Sequence, residues 1–179
     1  MRVRRLAILL VLLFPASALA GDAALREAGE RYGPAARAGY DHTPGGAQAT
    51  LVALNKKTGA VIWKSAVPGG DAAAYASAVV VQAAGRKQYV QFLSKGIVGV
   101  DAKTGQFLWR YTGAVKGMAQ MVTPVARGEY VYGGAHSVGG GLVRLKPEGG
   151  AVVAEQVYFA RGLPNSIGGA VLVGDYLYG

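Results

Sequence analysis

The chain has no cysteine and two histidines. Without cysteine there is no disulfide, no thiolate metal site and no cysteine nucleophile. Acids are scarce as well. Ten Asp and Glu stand against 19 Lys and Arg, for a formal charge of +9. Apart from Glu27 and Glu30, no acid lies within three residues of another. Long hydrophobic runs are missing too: Leu6 to Phe14 is the longest at the N-terminus and is too short to span a bilayer. The basic residues form no run longer than two (Lys56-Lys57, Arg86-Lys87). They read as a solvated surface and not as a nucleic-acid groove, which needs a clustered stripe with interleaved aromatics.

What the chain does have begins with a leader. Arg2, Arg4 and Arg5 precede the apolar run, and Ala18-Leu19-Ala20 supplies a small-residue cleavage pattern. These features predict a signal peptide over residues 1–20, cut after Ala20, and a mature chain that is periplasmic or secreted. Losing the three signal arginines leaves +6 (9 − 3). Gly21 stands where a lipid-bearing cysteine would be needed, so no lipid anchor is expected. Residues 21–42 read as a short helix or a disordered segment. Asp22 is a possible cap, Leu25, Ala28 and Tyr32 share one face, and Gly33-Pro34 ends the pattern.

From Thr43 onward the pattern is β. Glycine is abundant at 28 residues and apolar residues make up 51%, which suits short strands joined by tight turns. Two segments are near copies. Leu51 to Trp63 aligns with Ile97 to Trp109 at a constant offset of 46 residues (97 − 51). A period of that size built from short strands marks a β-propeller. In the complete repeat, strands are expected over 76–81, 87–93, 96–101 and 106–111. The first of them is apolar apart from Ser77 and is expected near the propeller axis. A weaker repeat follows, in which Thr123-Pro124-Val125 matches Ser77-Ala78-Val79. Its glycine-rich stretch Gly133 to Gly140 is expected as a loop. A last repeat opens with Gly169-Ala170-Val171-Leu172 and Tyr176-Leu177-Tyr178. The fold class is therefore all-β: four-stranded blades, in a partial propeller of about three blades over residues 43–179. A propeller closes with about four to eight blades. The remaining blades are expected from chain beyond Gly179, or less simply from further copies.

Asn55, Thr58, Gly59 and Trp63, and their counterparts Asp101, Thr104, Gly105 and Trp109, resemble the repeat of pyrroloquinoline-quinone-like (PQQ-like) β-propellers. In that family a strand ends in Leu-Asp, Ala-x-Thr-Gly follows, and the next strand ends in Trp. The resemblance implies a structural role for these eight residues, with each Trp packing between neighbouring blades. Ala53 and Gly99 are expected to leave room for a neighbouring blade's ring, and Asn55 and Asp101 can bond the backbone of their turns. The third copy departs, with Gly149-Gly150 for Thr-Gly, Ala154 for Trp and Arg144 for the small residue.

Two functions follow from the resemblance. One is a non-catalytic scaffold that binds other periplasmic or outer-membrane proteins, with no cofactor and no nucleic acid. The alternative is a PQQ-dependent dehydrogenase oxidising an alcohol or sugar, with calcium beside the quinone in the full-length protein. Scarce acids, absent cysteines and two Trp residues spent on the repeat favour the scaffold. Arg161 and Asn165, in a polar turn, are the candidates for facing a ligand. His136-Ser137 lacks a nucleophile-elbow pattern, and the glycines lack the Lys-Ser/Thr of a phosphate loop.

Overall fold

The computed structural model describes residues 8–9, 48–55, 57–115, 120–163 and 169–179. The expected cleavage site and the segment 21–42 lie outside the described residues. Among the described residues there is no helix. The architecture is a series of antiparallel sheets, as in part of a propeller.

The complete blade is a four-stranded meander: β4 (Val79–Ala83), β5 (Arg86–Leu93), β6 (Gly96–Asp101) and β7 (Phe107–Tyr111). Before it stand the third and fourth strands of another blade, β2 (Leu51–Asn55) and β3 (Val61–Ser65). The short strand β1 (Ile8–Leu9) pairs antiparallel with β2; it lies within the segment expected as signal peptide, so the blades of a mature chain begin at β2. After it comes a second meander, β8 (Val125–Arg127), β9 (Tyr130–Ala135), β10 (Gly139–Glu148) and β11 (Ala151–Ala160). The hairpin β12 (Val171–Val173) and β13 (Tyr176–Tyr178) follows.

The innermost strand of the complete blade begins three residues later than its apolar run suggests. Ala76 is fully buried outside the ladder, where its carbonyl accepts a hydrogen bond from Gln91 Nε2 at 2.5 Å. Ser77 N donates to Thr123 Oγ1 of the next repeat at 3.0 Å. These bonds tie 76–77 to neighbouring elements, so strand pairing starts at Val79. Within β4 burial alternates, and Val80 is 56% exposed.

The glycine-rich stretch is largely strand. Gly133 and Gly134 lie in β9, Gly139 and Gly140 in β10, and the turn between the two strands is 136–138. Neighbouring side chains require the glycines. A Cβ at Gly140 would meet the Tyr132 hydroxyl at 1.9 Å, one at Gly141 the Tyr111 hydroxyl at 2.2 Å, and one at Gly133 Ile97 Cδ1 at 2.3 Å.

The core is shared between blades. One buried cluster joins Leu51, Ala53 and Trp63 to Tyr89, Val98 and Val100 of the complete blade. The other joins Val90, Phe92, Ile97 and Trp109 to Val131, Val143 and Leu145. The complete blade is thus buried on both faces, and β6 is buried along almost its whole length. Burial of apolar surface at about 25 cal/mol per Å² is what holds blade to blade.

Candidate functional site

The repeat residues come together as turn builders and blade clamps. Asn55 Oδ1 accepts from Lys57 N at 2.9 Å and Thr58 N at 3.3 Å. Asp101 Oδ1 accepts from Lys103 N at 2.9 Å and Thr104 N at 3.0 Å. The Thr hydroxyls then accept from Ala60 N and Gln106 N. Gly59 and Gly105 close the turns at φ 71° and 75°, a left-handed conformation that suits glycine. Burial alone would raise the Asp101 pKa. The bonds from the Thr104 and Lys103 backbone, from the Thr104 hydroxyl and from Arg86 outweigh it and hold the carboxyl below its ordinary 3.8.

Both copies carry the same bulge. Ala53 faces Trp63 and Leu54 faces Val61, while Gly99 faces Trp109 and Val100 faces Phe107. The extra residue, Ile62 or Leu108, aims the Trp correctly. The small residue opposite seats the Trp of its own blade, not a neighbour's ring. A Cβ at Gly99 would lie 2.1 Å from Trp109 Nε1.

The two tryptophans then diverge. Trp63 crosses to the next blade. Its Nε1 donates to Ala102 O at 3.2 Å, and a Cβ at Gly105 would meet its ring at 2.5 Å. Tyr89 of that blade sits 6.1 Å away, centroid to centroid. Trp109 is buried in the cluster shared with the following blade, but its Nε1 donates to Gln88 Oε1 of its own blade at 2.6 Å. Gln88 is held in turn by Ala83 O. In the third copy the bulge moves to Leu142/Val143 and Gly149-Gly150 makes a two-residue turn, so β10 and β11 run on for ten residues each. The residue facing Arg144, where the other two copies place Trp opposite the small residue, is Glu155 and not Ala154, and Arg144 pairs with Glu129 at 2.9 Å.

A latch that spacing does not reveal fixes the loop between β3 and β4. Arg110 NH2 bonds the buried Asp71 at 2.9 Å and Pro68 O at 2.7 Å, and Lys95 bonds Gly69 O. Burial pushes the Asp71 carboxyl up, against the opposing pull of Arg110 and Lys95. The pair is 39 residues apart in the chain, and nothing local marks it.

A groove of about 460 Å³ lies where β4 meets β8 and the approach to β12. Val79, Val80, Met121, Pro124, Val125 and Ala170 contribute to its wall. Its lining holds no acid, Arg, Asn or Trp. Among the described residues no group of three His, Asp or Glu is placed to hold a metal ion. The residues described at the groove therefore do not fit a quinone–calcium site. Arg161 is exposed just past the end of β11, the outermost strand of its blade, and Asn165 lies outside the described residues.

With the repeat geometry in place, the chain belongs to the PQQ-like repeat β-propeller family. The family profile described as outer membrane protein assembly factor BamB matches residues 24–176. No curated protein matches the chain.

Proposed function

We propose that the chain is an exported, non-catalytic scaffold that binds other periplasmic or outer-membrane proteins during outer-membrane assembly. It works in the periplasm after cleavage following Ala20, and takes neither PQQ nor calcium. The observation that carries this reading is the match to the assembly-factor family over residues 24–176. The use of both tryptophans and of Asp101 in blade building supports it, because those residues are then not spent on a cofactor. Partner strands add along a blade edge or rest on the turn faces. The outer edge of β11 suits the first mode: it is ten residues long, with Val153, Val157 and Tyr158 exposed.

A photo-crosslinking residue at Val157, tested in the native periplasm, is expected to capture a component of the outer-membrane assembly machinery. The same residue at Lys64 is the comparison. Absence of that component from both sites, in a chain shown to be exported and folded, would sink the proposal.

A further inference from the structure

We infer that one end of the blades formed by residues 48–115 is a docking surface for an anionic lipid bilayer. The basic residues look scattered along the chain, but the meander gathers them. In each blade the turn between strands one and two and the turn between strands three and four lie at the same end. That end therefore collects the β2–β3 turn, the β4–β5 turn and the β6–β7 turn. Lys57, Arg86, Lys87 and Lys103 sit in or beside these turns, and all four are exposed.

The turns are tied together. Trp63 bonds Ala102 O, Ala102 N donates to Lys87 O at 2.9 Å, and Arg86 lies 3.5 Å from Asp101. Asp101 is the one acid at this end of the two blades, and its Oδ1 is already taken by Lys103 N, Thr104 N and the Thr104 hydroxyl.

The charge is not spread evenly. Between residues 48 and 115 eight Lys and Arg face two acids, Asp71 and Asp101, whereas between 120 and 179 four of each balance. In the second region three of the four cations are in ion pairs, Arg127 with Asp175, Arg144 with Glu129 and Lys146 with Glu155. The second blade and its hairpin thus present a neutral surface beside a basic one.

The form of the basic end favours a bilayer over an acidic polypeptide. A stable protein interface needs buried aromatic or aliphatic anchors. The tips here are Lys57-Thr58-Gly59, Ala84-Gly85 and Lys103-Thr104-Gly105, with no apolar anchor among them. Lysine is a mobile point charge and not a bidentate fork, which suits a plane of phosphate headgroups more than one placed carboxylate. Basic residues near an anionic bilayer each add attraction that falls off within a Debye length. This inference stands apart from the scaffold reading, and either can fail alone.

The test is co-sedimentation of the full chain with vesicles of phosphatidylglycerol mixed with phosphatidylcholine, against phosphatidylcholine alone. The zwitterionic vesicles measure the apolar part of the leader's contribution; Arg2, Arg4 and Arg5 of the leader add anionic binding that is the same in every variant, so the variants carry the comparison. Binding to the anionic vesicles is expected to exceed that baseline and to weaken as salt is raised. Lys57→Gln with Lys103→Gln is expected to lower it by about twenty-fivefold, near fivefold per cation. Lys64→Gln with Arg161→Gln removes the same charge elsewhere and is expected to change it by less than about twofold. Circular dichroism of each variant confirms the fold, and the substituted side chains are exposed. Equal binding to both vesicle types would overturn the inference. So would equal losses in the two variants, which would mean net charge alone. Binding of poly-glutamate without binding of vesicles would also overturn it, in favour of an acidic protein partner.

Discussion

The repeat residues divide by what they touch. Asn55 and Asp101 build their own turns, so that role is legible from five consecutive residues, while the bond from Arg86 to Asp101 is not. Trp63 and Trp109 have the same local sequence context, yet one clamps the next blade and the other is held by Gln88. That difference depends on the neighbour. Gly105 offers Trp63 a seat, and the third copy, with Gly149-Gly150, has no equivalent Thr-Gly turn. Trp63→Ala is expected to cost about 3–5 kcal/mol. Gly105→Ala is expected to cost about 1–3 kcal/mol by displacing the same ring. Denaturant melts of the two single variants and the double variant check this, and the losses should not add, because both act on one contact.

Asp101 gives a pH dependence whose sign is fixed by its bonds. Its folded pKa lies below the ordinary 3.8, so its stabilisation is fully present above that value and is lost as pH falls through the folded pKa. Asn55 shows that an amide serves the same turn. Asp101→Asn should therefore keep the fold at neutral pH and lose less stability than the unaltered chain below pH about 4. Thermal melts across that range distinguish the two chains.

Elements were legible where the pattern is local. The hairpins of the first two copies follow from their Asn/Asp-x-x-Thr-Gly turns, and β5, β6 and β13 follow from strand-forming runs between turn residues. The glycine-rich stretch misleads because glycine signals a turn when read alone. Here Gly133, Gly140 and Gly141 are strand residues flattened to admit Ile97, Tyr132 and Tyr111, and only the packed neighbours show why. The start of β4 misleads for a related reason, since Ala76 is buried but bonded to Gln91 instead of to the ladder. The loop from β3 to β4 depends on a contact far away in the chain. Arg110→Ala would leave the Asp71 carboxyl buried without its guanidinium and is expected to cost about 3 kcal/mol. Limited proteolysis is the readout: cleavage within 66–78 should accelerate more than cleavage elsewhere.

Across the whole molecule, the repeat period identifies the propeller, and the small supply of acids and the lack of cysteine limit the chemistry the side chains can do. The gathering of cations at one end was not legible, because it arises from which turns share an end of the sheet. Stability should also vary from blade to blade. The complete blade shares both its faces with buried clusters, while β12 and β13 expose Val171, Val173, Tyr176 and Tyr178. Hydrogen exchange is expected to be slowest in β5 and β6 and fastest in β12 and β13. Protection that is uniform from β2 to β13 would contradict this ordering.

The proposed function uses the family's repeat to build a binding scaffold and not to hold a quinone. Both tryptophans are buried between strands and bonded, at Ala102 O and Gln88 Oε1. The most direct measurement is tryptophan fluorescence of the folded chain titrated with PQQ, with and without calcium. No saturable change is expected in either condition. Saturable, calcium-dependent quenching would contradict it and would make the protein a quinone-binding one.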